Sequence, residues 1–333
     1  MPNPGSHPSR DEQSGQPPVF ILGNVRSGAS MILGFFGLLE GVRTWFEPRT
    51  IWNYPDPARR HDRFTADDAT PKAARYIRRR FEKVQARAGA RIVEKTPVNV
   101  IRAPFVHAVF PNAKLIYIRR EPLASIASAE LRWRRPITLP HLIDRVLETP
   151  KAQLHHYALR AVHDHARVRL LRQKHVSIWG VRYPSIYEDR PKLPIEHIIA
   201  KQWAFASRTA REDLARIEAT APGTTLSVRY EDLVQNPAKT FAVMAAHAGL
   251  PTPESALERV SAAVDPSRRD KWKRLDPELI SALMPYIEEE MRAAGYHPPA
   301  TLPTEAERRA VLSAHHPISE GGFTAASLLR STP

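Results

Sequence analysis

A glycine-rich stretch near the N-terminus, FILGNVRSGASMI at Phe20–Ile32, has the residue types of a phosphate-binding loop. One apolar run ends at Gly23, and a second begins just after Gly28. In a strand–loop–helix of this kind, backbone N–H groups at the helix start face an anion, and the helix dipole adds to the attraction. The spacing fits the ATP-binding pattern G-x-x-x-x-G-K-[ST], except that Ala29 stands in place of the lysine.

The loop carries a different cation, because Arg26 lies between the two glycines. A guanidinium fork suits a planar or tetrahedral oxyanion. Without the lysine that reaches the β- and γ-phosphates of ATP, we expect neither γ-phosphate binding nor strong Mg²⁺ chemistry. The candidate phosphate-binding residues of the loop are Arg26, Ser27, Gly28, Ala29 and Ser30.

A second element with phosphate-binding residue types is IYIRREPLASIASAELR, residues 116–132. A predicted strand ends at Arg120, in the crevice outside the carboxyl ends where open α/β sheets bind ligands. Ser128 and Arg132 follow on the next predicted helix, one turn apart and therefore on the same face. Two arginines and a serine converging at one strand end predict a second phosphate site.

Taken together, the two elements resemble the sulfotransferase family that uses 3′-phosphoadenosine-5′-phosphosulfate (PAPS). The first is similar to the family's 5′-phosphosulfate loop, usually P-R-S-G-T-T, with Val25 in place of Pro and Ala29 in place of the first Thr. The second is similar to its 3′-phosphate motif, Arg-[Asp/Glu]-Pro-x5-Ser. The resemblance runs from about residue 18 to about residue 297 and is closest to the RSGT branch, which includes tyrosylprotein sulfotransferases and many bacterial enzymes.

Four further residues match positions of that branch. Glu47 lies 21 residues after Arg26, where the branch has its catalytic carboxylate, and Lys95 in EKTP matches a lysine that contacts the transferring sulfuryl group. Tyr230 in VRYEDL matches a tyrosine that contacts the cofactor, and Lys271 in DKWKR matches a lysine at the phosphates. The resemblance implies PAPS as co-substrate, PAP as product, and no metal.

The implied reaction moves a sulfuryl group from PAPS to an acceptor hydroxyl or amine. By analogy with phosphoryl transfer, we expect a loose transition state that is stabilised mainly by positioning and charge. The resemblance then assigns Glu47 as the general base and Arg26 and Lys95 as the groups that stabilise charge. Two neighbouring cations should lower the pKa of Glu47. The alternative for this residue is a structural ion pair with a loop arginine.

The order of predicted elements indicates an α/β protein, a three-layer sandwich around a mostly parallel sheet. Predicted strands occupy Val19–Gly23, Val42–Glu47, Arg91–Glu94, Lys114–Arg119 and Thr225–Tyr230. Predicted helices occupy Ala29–Leu39, Pro71–Ala88, Val100–Phe110, Pro122–Arg134, Pro140–Gln173, Leu193–Ala219, 237–248, 254–264 and 276–294.

One domain is expected at 18–297, after a disordered, Pro/Gly/Ser-rich leader at 1–17 and before a Pro-rich, loosely held tail at 298–333. Within the domain, 135–220 is expected to form a helical insertion or cap. The Pro-interrupted stretch 182–194 is a candidate lid over the acceptor.

Composition narrows the function classes. The chain has 333 residues and no cysteine, which excludes disulfides and thiolate metal sites. Lys and Arg total 49 against 35 Asp and Glu, a net charge of +14 that attracts polyanions. The longest apolar run, Met31–Leu39, is shorter than the about 20 residues that a membrane span needs. We therefore expect a cytoplasmic protein.

Two other functions remain open at this point. A P-loop small-molecule kinase would want the missing lysine and a carboxylate for Mg²⁺, but KLIYIRR ends in arginines. A basic nucleic-acid-binding protein would fit the charge, but no helix-turn-helix, zinc or RNP-like signature appears.

Two further groups of side chains have candidate uses. The histidines between His155 and His165 more often belong to a polar helix or a pocket wall than to a metal site, since His155 and His156 point about 100° apart on a helix. Trp52 and Tyr54, after Glu47, suggest a wall on which an acceptor ring or sugar stacks.

Overall fold

The computed structural model describes residues 15–133, 178–265 and 271–314, apart from the side chains of 131–133 and 314. Several predicted features lie outside these residues: most of the leader, the helix at Pro140–Gln173, the His155–His165 cluster, the Arg132 side chain and the end of the tail.

Five parallel strands form one sheet in the order β2-β3-β1-β4-β5. The strands are β1 Val19–Gly23, β2 Val42–Phe46, β3 Arg91–Lys95, β4 Lys114–Arg119 and β5 Thr225–Arg229. The predicted strands are thereby confirmed to within one residue at each end. Because β1 is central, with β3 on one side and β4 on the other, the chain reverses direction across the sheet beside β1, where α/β folds form their binding crevice.

Twelve α-helices surround the sheet in the described residues. The first six are α1 Ala29–Phe36, α2 Arg49–Trp52, α3 Pro71–Ala88, α4 Ala103–Val109, α5 Pro122–Trp133 and α6 Ile186–Asp189. The others are α7 Ile195–Thr220, α8 Tyr230–Gln235, α9 Pro237–His247, α10 Glu254–Ala263, α11 Pro277–Ala293 and α12 Glu305–Ala314. Short 3₁₀ helices occupy Ala66–Asp68 and Pro97–Ile101.

Alternate residues of the central strand enter two different apolar cores. Phe20 and Leu22 pack with α3, α4 and α7 on one face, whereas Val19 and Ile21 pack with α1, α9 and α10 on the other. This alternation is the strand period of two. Helices on both faces of a parallel sheet give the expected three-layer α/β sandwich.

Helix α7 corrects the expectation of a helical cap over 135–220. Its buried residues Ala206, Ala210, Leu214 and Ile217 belong to the same core as Phe20. The last part of the supposed cap is therefore one of the helices that cover the sheet. A 26-residue amphipathic helix has the same hydrophobic pattern whether its apolar face packs on a sheet or lines a pocket. Periodicity therefore could not predict where this helix lies in the fold.

The tail also differs from its expectation, because α12 is a helix that contacts the domain. Arg308 forms an ion pair with Asp276 at 2.8 Å, and Glu307 pairs with Lys273 at 3.5 Å. The part of the tail at Glu305–Ala314 is therefore helical and makes surface contacts with the domain.

A proline explains why the predicted helix Val100–Phe110 is split in two. Pro104 lies in the first turn of α4, where its missing N–H costs nothing. The residue before it, Ala103, begins the helix, and Arg102 has the non-helical φ of −127°. The chain up to Ile101 is 3₁₀ instead.

None of the helices in the described residues combines the length and apolar character needed to cross a membrane.

Candidate active site

The carboxyl ends of all five strands carry residues of the predicted site. The loop after β1 begins at Gly23, Glu47 follows β2, Lys95 ends β3, Arg120 follows β4 and Tyr230 follows β5. The strands are parallel, so these ends lie along one edge of the sheet. The fold therefore brings together residues that are far apart in sequence.

The loop after β1 adopts a conformation that depends on Gly28. Its φ is +98°, and a Cβ placed there would lie 2.7 Å from Cδ2 of Tyr230. Arg26 also has a positive φ, +67°. A non-glycine residue in this region is uncommon and marks a site that the surroundings must hold in place. The loop is thus built tightly against the Tyr230 ring.

Helix α1 opens towards the crevice with its positive end unopposed. The N-cap residue Gly28 makes no side-chain cap, and the first turn contains no acidic residue. First-turn amides such as those of Ala29 and Ser30 have no acceptor within a helix. The N-terminus of α1 can therefore accept an anion.

Residue 29, where ATP-binding loops have a lysine, has its side chain in the core. The Ala29 side chain is only 3% exposed and packs with Ile118 and Tyr230 in the core beside α1. The residue at 29 can offer its backbone N–H to a ligand, but its side chain is directed away from the crevice.

Two arginines join the two predicted phosphate elements. Arg26 Nε donates to Ser128 Oγ at 2.9 Å across 102 residues of sequence. Arg120 Nη1 donates to the Arg26 carbonyl at 2.8 Å, and its guanidinium carbon lies 4.1 Å from the Tyr230 ring centroid. Arg26, Ser128, Arg120 and Tyr230 are therefore one cluster.

Glu47 lies between two cations. Lys95 Nζ donates to Glu47 Oε1 at 2.9 Å, and Arg49 contacts Oε2 at 2.7 Å. The Glu47 backbone N–H also donates to the Lys95 carbonyl at 2.9 Å, and Glu47 has a φ of +52°. The carboxylate, the lysine and the arginine are held by main-chain contacts as well as by charge.

The electrostatics of Glu47 follow from this arrangement. Burial by itself would raise the pKa of the carboxyl, but Lys95 and Arg49 outweigh it and lower the pKa to about 2. Burial lowers the pKa of Lys95, and Glu47 works against that shift. Glu47 is thus ionised at neutral pH, as expected.

Some predicted residues do not present their side chains to the crevice. Ser27 is 1% exposed, and its Oγ is buried beneath the loop. Trp52 is fully buried in the core, so it is not an acceptor wall, and Tyr54 stacks on Tyr76 at 3.8 Å. Lys271 is half-buried at the start of the last described segment.

Sequence reasoning missed two arginines near the cluster. Arg49 gives Glu47 its second cation, and its spacing of two residues was the available signal. Arg274 donates to the carbonyl of Ala127, next to Ser128, and lies 3.7 Å from Glu130. It belongs to the same DKWKR motif as Lys271, so the motif holds α5 in place as well.

The base of the candidate lid is fixed to the domain. Arg182 donates to the buried Asp62 at 2.6 Å, and Asp62 N–H donates back to the Arg182 carbonyl at 2.8 Å. Ile186, in α6, is fully buried. The stretch predicted as a loop is therefore anchored at its start and contains a helical turn.

Within the residues described, no group of three or more His, Asp or Glu side chains is arranged to hold a metal ion.

Comparison with known proteins identifies the class. Residues 17–192 match the model of the sulfotransferase family, which is more than half of the chain. The chain therefore belongs to the sulfotransferase family and is an enzyme of that class. No curated protein matches it.

Several solved structures are similar to this chain at low identity. A sulfotransferase domain from the curacin biosynthetic pathway is 16% identical, with 85% of this chain and 99% of that one covered and a TM-score of 0.52. The sulfotransferase domain of the Synechococcus PCC 7002 olefin synthase is 18% identical over 85% of this chain and 96% of that one, with a TM-score of 0.49. A mouse sulfotransferase complexed with PAP is 12% identical over 92% of each chain, with a TM-score of 0.45.

Proposed function

We propose that this sulfotransferase moves the sulfuryl group of PAPS to a hydroxyl or amine of its acceptor and releases PAP. Arg26, Gly28, Ala29 and Ser30 bind the 5′-phosphosulfate at the start of α1. A second set binds the 3′-phosphate and the rest of the nucleotide: Arg120, Ser128, Arg132, Tyr230 and Lys271.

The observation that carries this proposal is the link between the two phosphate elements. Arg26 donates to Ser128 at 2.9 Å, and Arg120 donates to the Arg26 carbonyl at 2.8 Å. One nucleotide with phosphates at both ends of its ribose needs two anion sites side by side. An ATP site needs one run of phosphates along a single loop.

The donors present suit such an anion. The start of α1 is free of acidic side chains, and two guanidinium groups border it. PAPS supplies an activated sulfuryl group with PAP as leaving group. The chain supplies position and charge, with Arg26 and Lys95 placed to stabilise negative charge that develops on the sulfuryl and leaving oxygens.

Glu47 is the general base in this proposal, and its partners determine when it can act. A carboxylate with a pKa of about 2 accepts a proton poorly. If an anionic sulfuryl group draws Lys95 towards itself, Glu47 loses one of its two cations and its proton affinity rises. Binding of the co-substrate would thereby activate the base.

The Arg120 assignment can be tested by calorimetric titration with PAP and with AMP, which lacks the 3′-phosphate. Arg120→Ala should weaken PAP binding by about 1.5–3 kcal/mol, or roughly 10- to 150-fold, because a hydrogen bond to a charged group is lost. AMP affinity should change much less.

Arg208→Ala is the matched control, since Arg208 is about half exposed and pairs with Glu289 on the outside of α7. It should bind PAP as the wild type does. Wild-type PAP affinity in Arg120→Ala, or an equal loss for PAP and AMP, would remove the 3′-phosphate assignment.

A further inference from the structure

One buried carboxyl beside the active site has no part in the chemistry described so far. Glu94 precedes Lys95 in β3 and is 0% exposed. Trp52 Nε1 donates to its Oε1 at 3.2 Å, and Asn99 Nδ2 donates to its Oε2 at 3.4 Å. The Thr96 hydroxyl also donates to Oε1.

These three donors come from both sides of the Glu47 cluster. Trp52 is the last residue of α2, a single turn whose first residue is Arg49. Thr96 and Asn99 belong to the chain that leaves β3 directly after Lys95. Glu94 therefore joins the segment that carries Arg49 to the segment that carries Lys95.

We propose that Glu94 is a positioning residue, which fixes α2 against the end of β3 through Trp52 and so sets the place of Arg49 and Lys95 around Glu47. The proposal rests on the function proposed above. It adds a residue that touches neither nucleotide nor acceptor and acts through the residues that do.

The chemistry of the buried site supports this role. Burial raises the pKa of Glu94 to about 8, which the three donors and the nearby Lys95 only partly counteract. Lys95 is the charged group that faces it, with Glu47 beyond. A neutral carboxylic acid can remain buried at pH 7 without the cost of an isolated charge. As the pH rises through about 8, the carboxyl should ionise and place a negative charge in the buried site.

The test compares turnover in Glu94→Ala and Trp52→Phe, where the second variant removes the indole N–H and also makes the buried ring smaller. Both should lower kcat at least about tenfold, the cost of roughly one hydrogen bond, with the KM for PAPS within about twofold. The double variant should lose no more than the worse single variant, because both break the same contact. Glu94→Gln, which mimics the neutral acid and can still accept from Trp52, should retain most of kcat at pH 7.

Glu290→Gln is the control, because Glu290 is also a buried carboxylate, paired with Arg211 at 2.8 Å between α7 and α11. It should reduce stability and leave kcat unchanged. If Glu94→Ala behaves in the same way, or if Glu94→Gln is as slow as Glu94→Ala, Glu94 is only structural and the proposal is wrong.

A second measurement does not depend on sulfuryl transfer. Acetylation of Lys95 by acetic anhydride, followed by mass spectrometry, should increase about fivefold or more in Glu94→Ala and Trp52→Phe, because the lysine is no longer held. Glu290→Gln should not change it. Unchanged reactivity of Lys95 in the two variants would overturn the positioning role. Absence of sulfuryl transfer by the wild type is a different result, and it would count against the proposed function alone.

Discussion

Two glutamates near the end of β3, Glu47 and Glu94, have very different pKa values because their neighbours differ. Glu47 and Glu94 are both mostly buried, yet the pKa of Glu47 is about 2 and that of Glu94 is about 8. Glu47 faces Lys95 and Arg49, whereas the donors to Glu94 are an indole, a hydroxyl and an amide. Charged partners keep the first ionised, and burial keeps the second neutral.

The two shifts have opposite consequences for stability. The lowered pKa of Glu47 stabilises the fold above about pH 4.5, and this contribution disappears as the pH falls towards about 2. The raised pKa of Glu94 means that the folded chain holds a proton that the unfolded chain has lost. Its contribution therefore declines as the pH rises from about 4.5 to about 8.

Replacing Glu47 separates its two possible roles, general base or structural partner of Arg49. Glu47→Gln keeps the shape of the side chain and removes its ability to accept a proton. We expect turnover to fall on the order of 10²-fold or more while PAP affinity stays near that of the wild type. Steady-state kinetics and calorimetry measure the two quantities.

Glu288→Gln is the matched control, because Glu288 pairs with Arg292 on the exposed face of α11. It should be indistinguishable from the wild type. If turnover of Glu47→Gln stays within about threefold of the wild type, Glu47 is not the general base, and its role is the structural ion pair.

At the scale of elements, strands were the easiest to predict, and burial was the hardest. The short apolar run Val19–Gly23 ends in a glycine and is the length of a strand, and its predicted bounds agreed with the structure. Trp52 follows Glu47 closely and looked available to an acceptor, but α2 turns it into the core. Such a choice depends on what α2 packs against, which local sequence does not contain.

The candidate site was predictable where it follows strand ends and less so where it depends on contacts across the fold. Arg26 and Arg120 were proposed from motifs that adjoin predicted strands, and Lys95 was proposed from the family resemblance. All three lie at the carboxyl ends of strands in the structure. Ser27 shares the loop motif, yet its hydroxyl is buried. Arg49 was missed because no motif includes it. Its place two residues after Glu47 made a contact possible, and the folded loop shows that the contact forms.

The shape of the loop after β1 gives a prediction at this scale. Gly28→Ala adds a Cβ at φ +98°, 2.7 Å from Tyr230, so either the loop or the ring must move. We expect PAP affinity to fall at least about tenfold and stability to fall by roughly 1–3 kcal/mol. Calorimetry and denaturant unfolding measure these changes.

Gly223→Ala serves as its control, because Gly223 also has a positive φ, +76°, but nothing lies within 4 Å of the added Cβ. It should cost some stability through strain and leave PAP binding unchanged. Equal PAP affinities for the two variants would contradict the tight fit of the loop against Tyr230.

At the scale of the whole molecule, the strand order brings the candidate site residues together, and the net charge attracts anions. The order β2-β3-β1-β4-β5 brings five strand ends, each with a candidate site residue at or just after it, to one edge. The chain also has a net charge of +14, which favours encounter with an anionic nucleotide. The membership of the sulfotransferase family agrees with both features.

The most direct test of the central claim compares the thermal unfolding of the intact chain with PAP and with ATP–Mg²⁺. If the two phosphate elements form a PAPS site, PAP at about a hundred times its Kd should add about 2.7 kcal/mol and raise the Tm by several degrees. ATP–Mg²⁺ should leave the Tm nearly unchanged, because Ala29 replaces the lysine that contacts the β- and γ-phosphates in ATP-binding loops. A clear rise in Tm with ATP–Mg²⁺ and none with PAP would contradict the account.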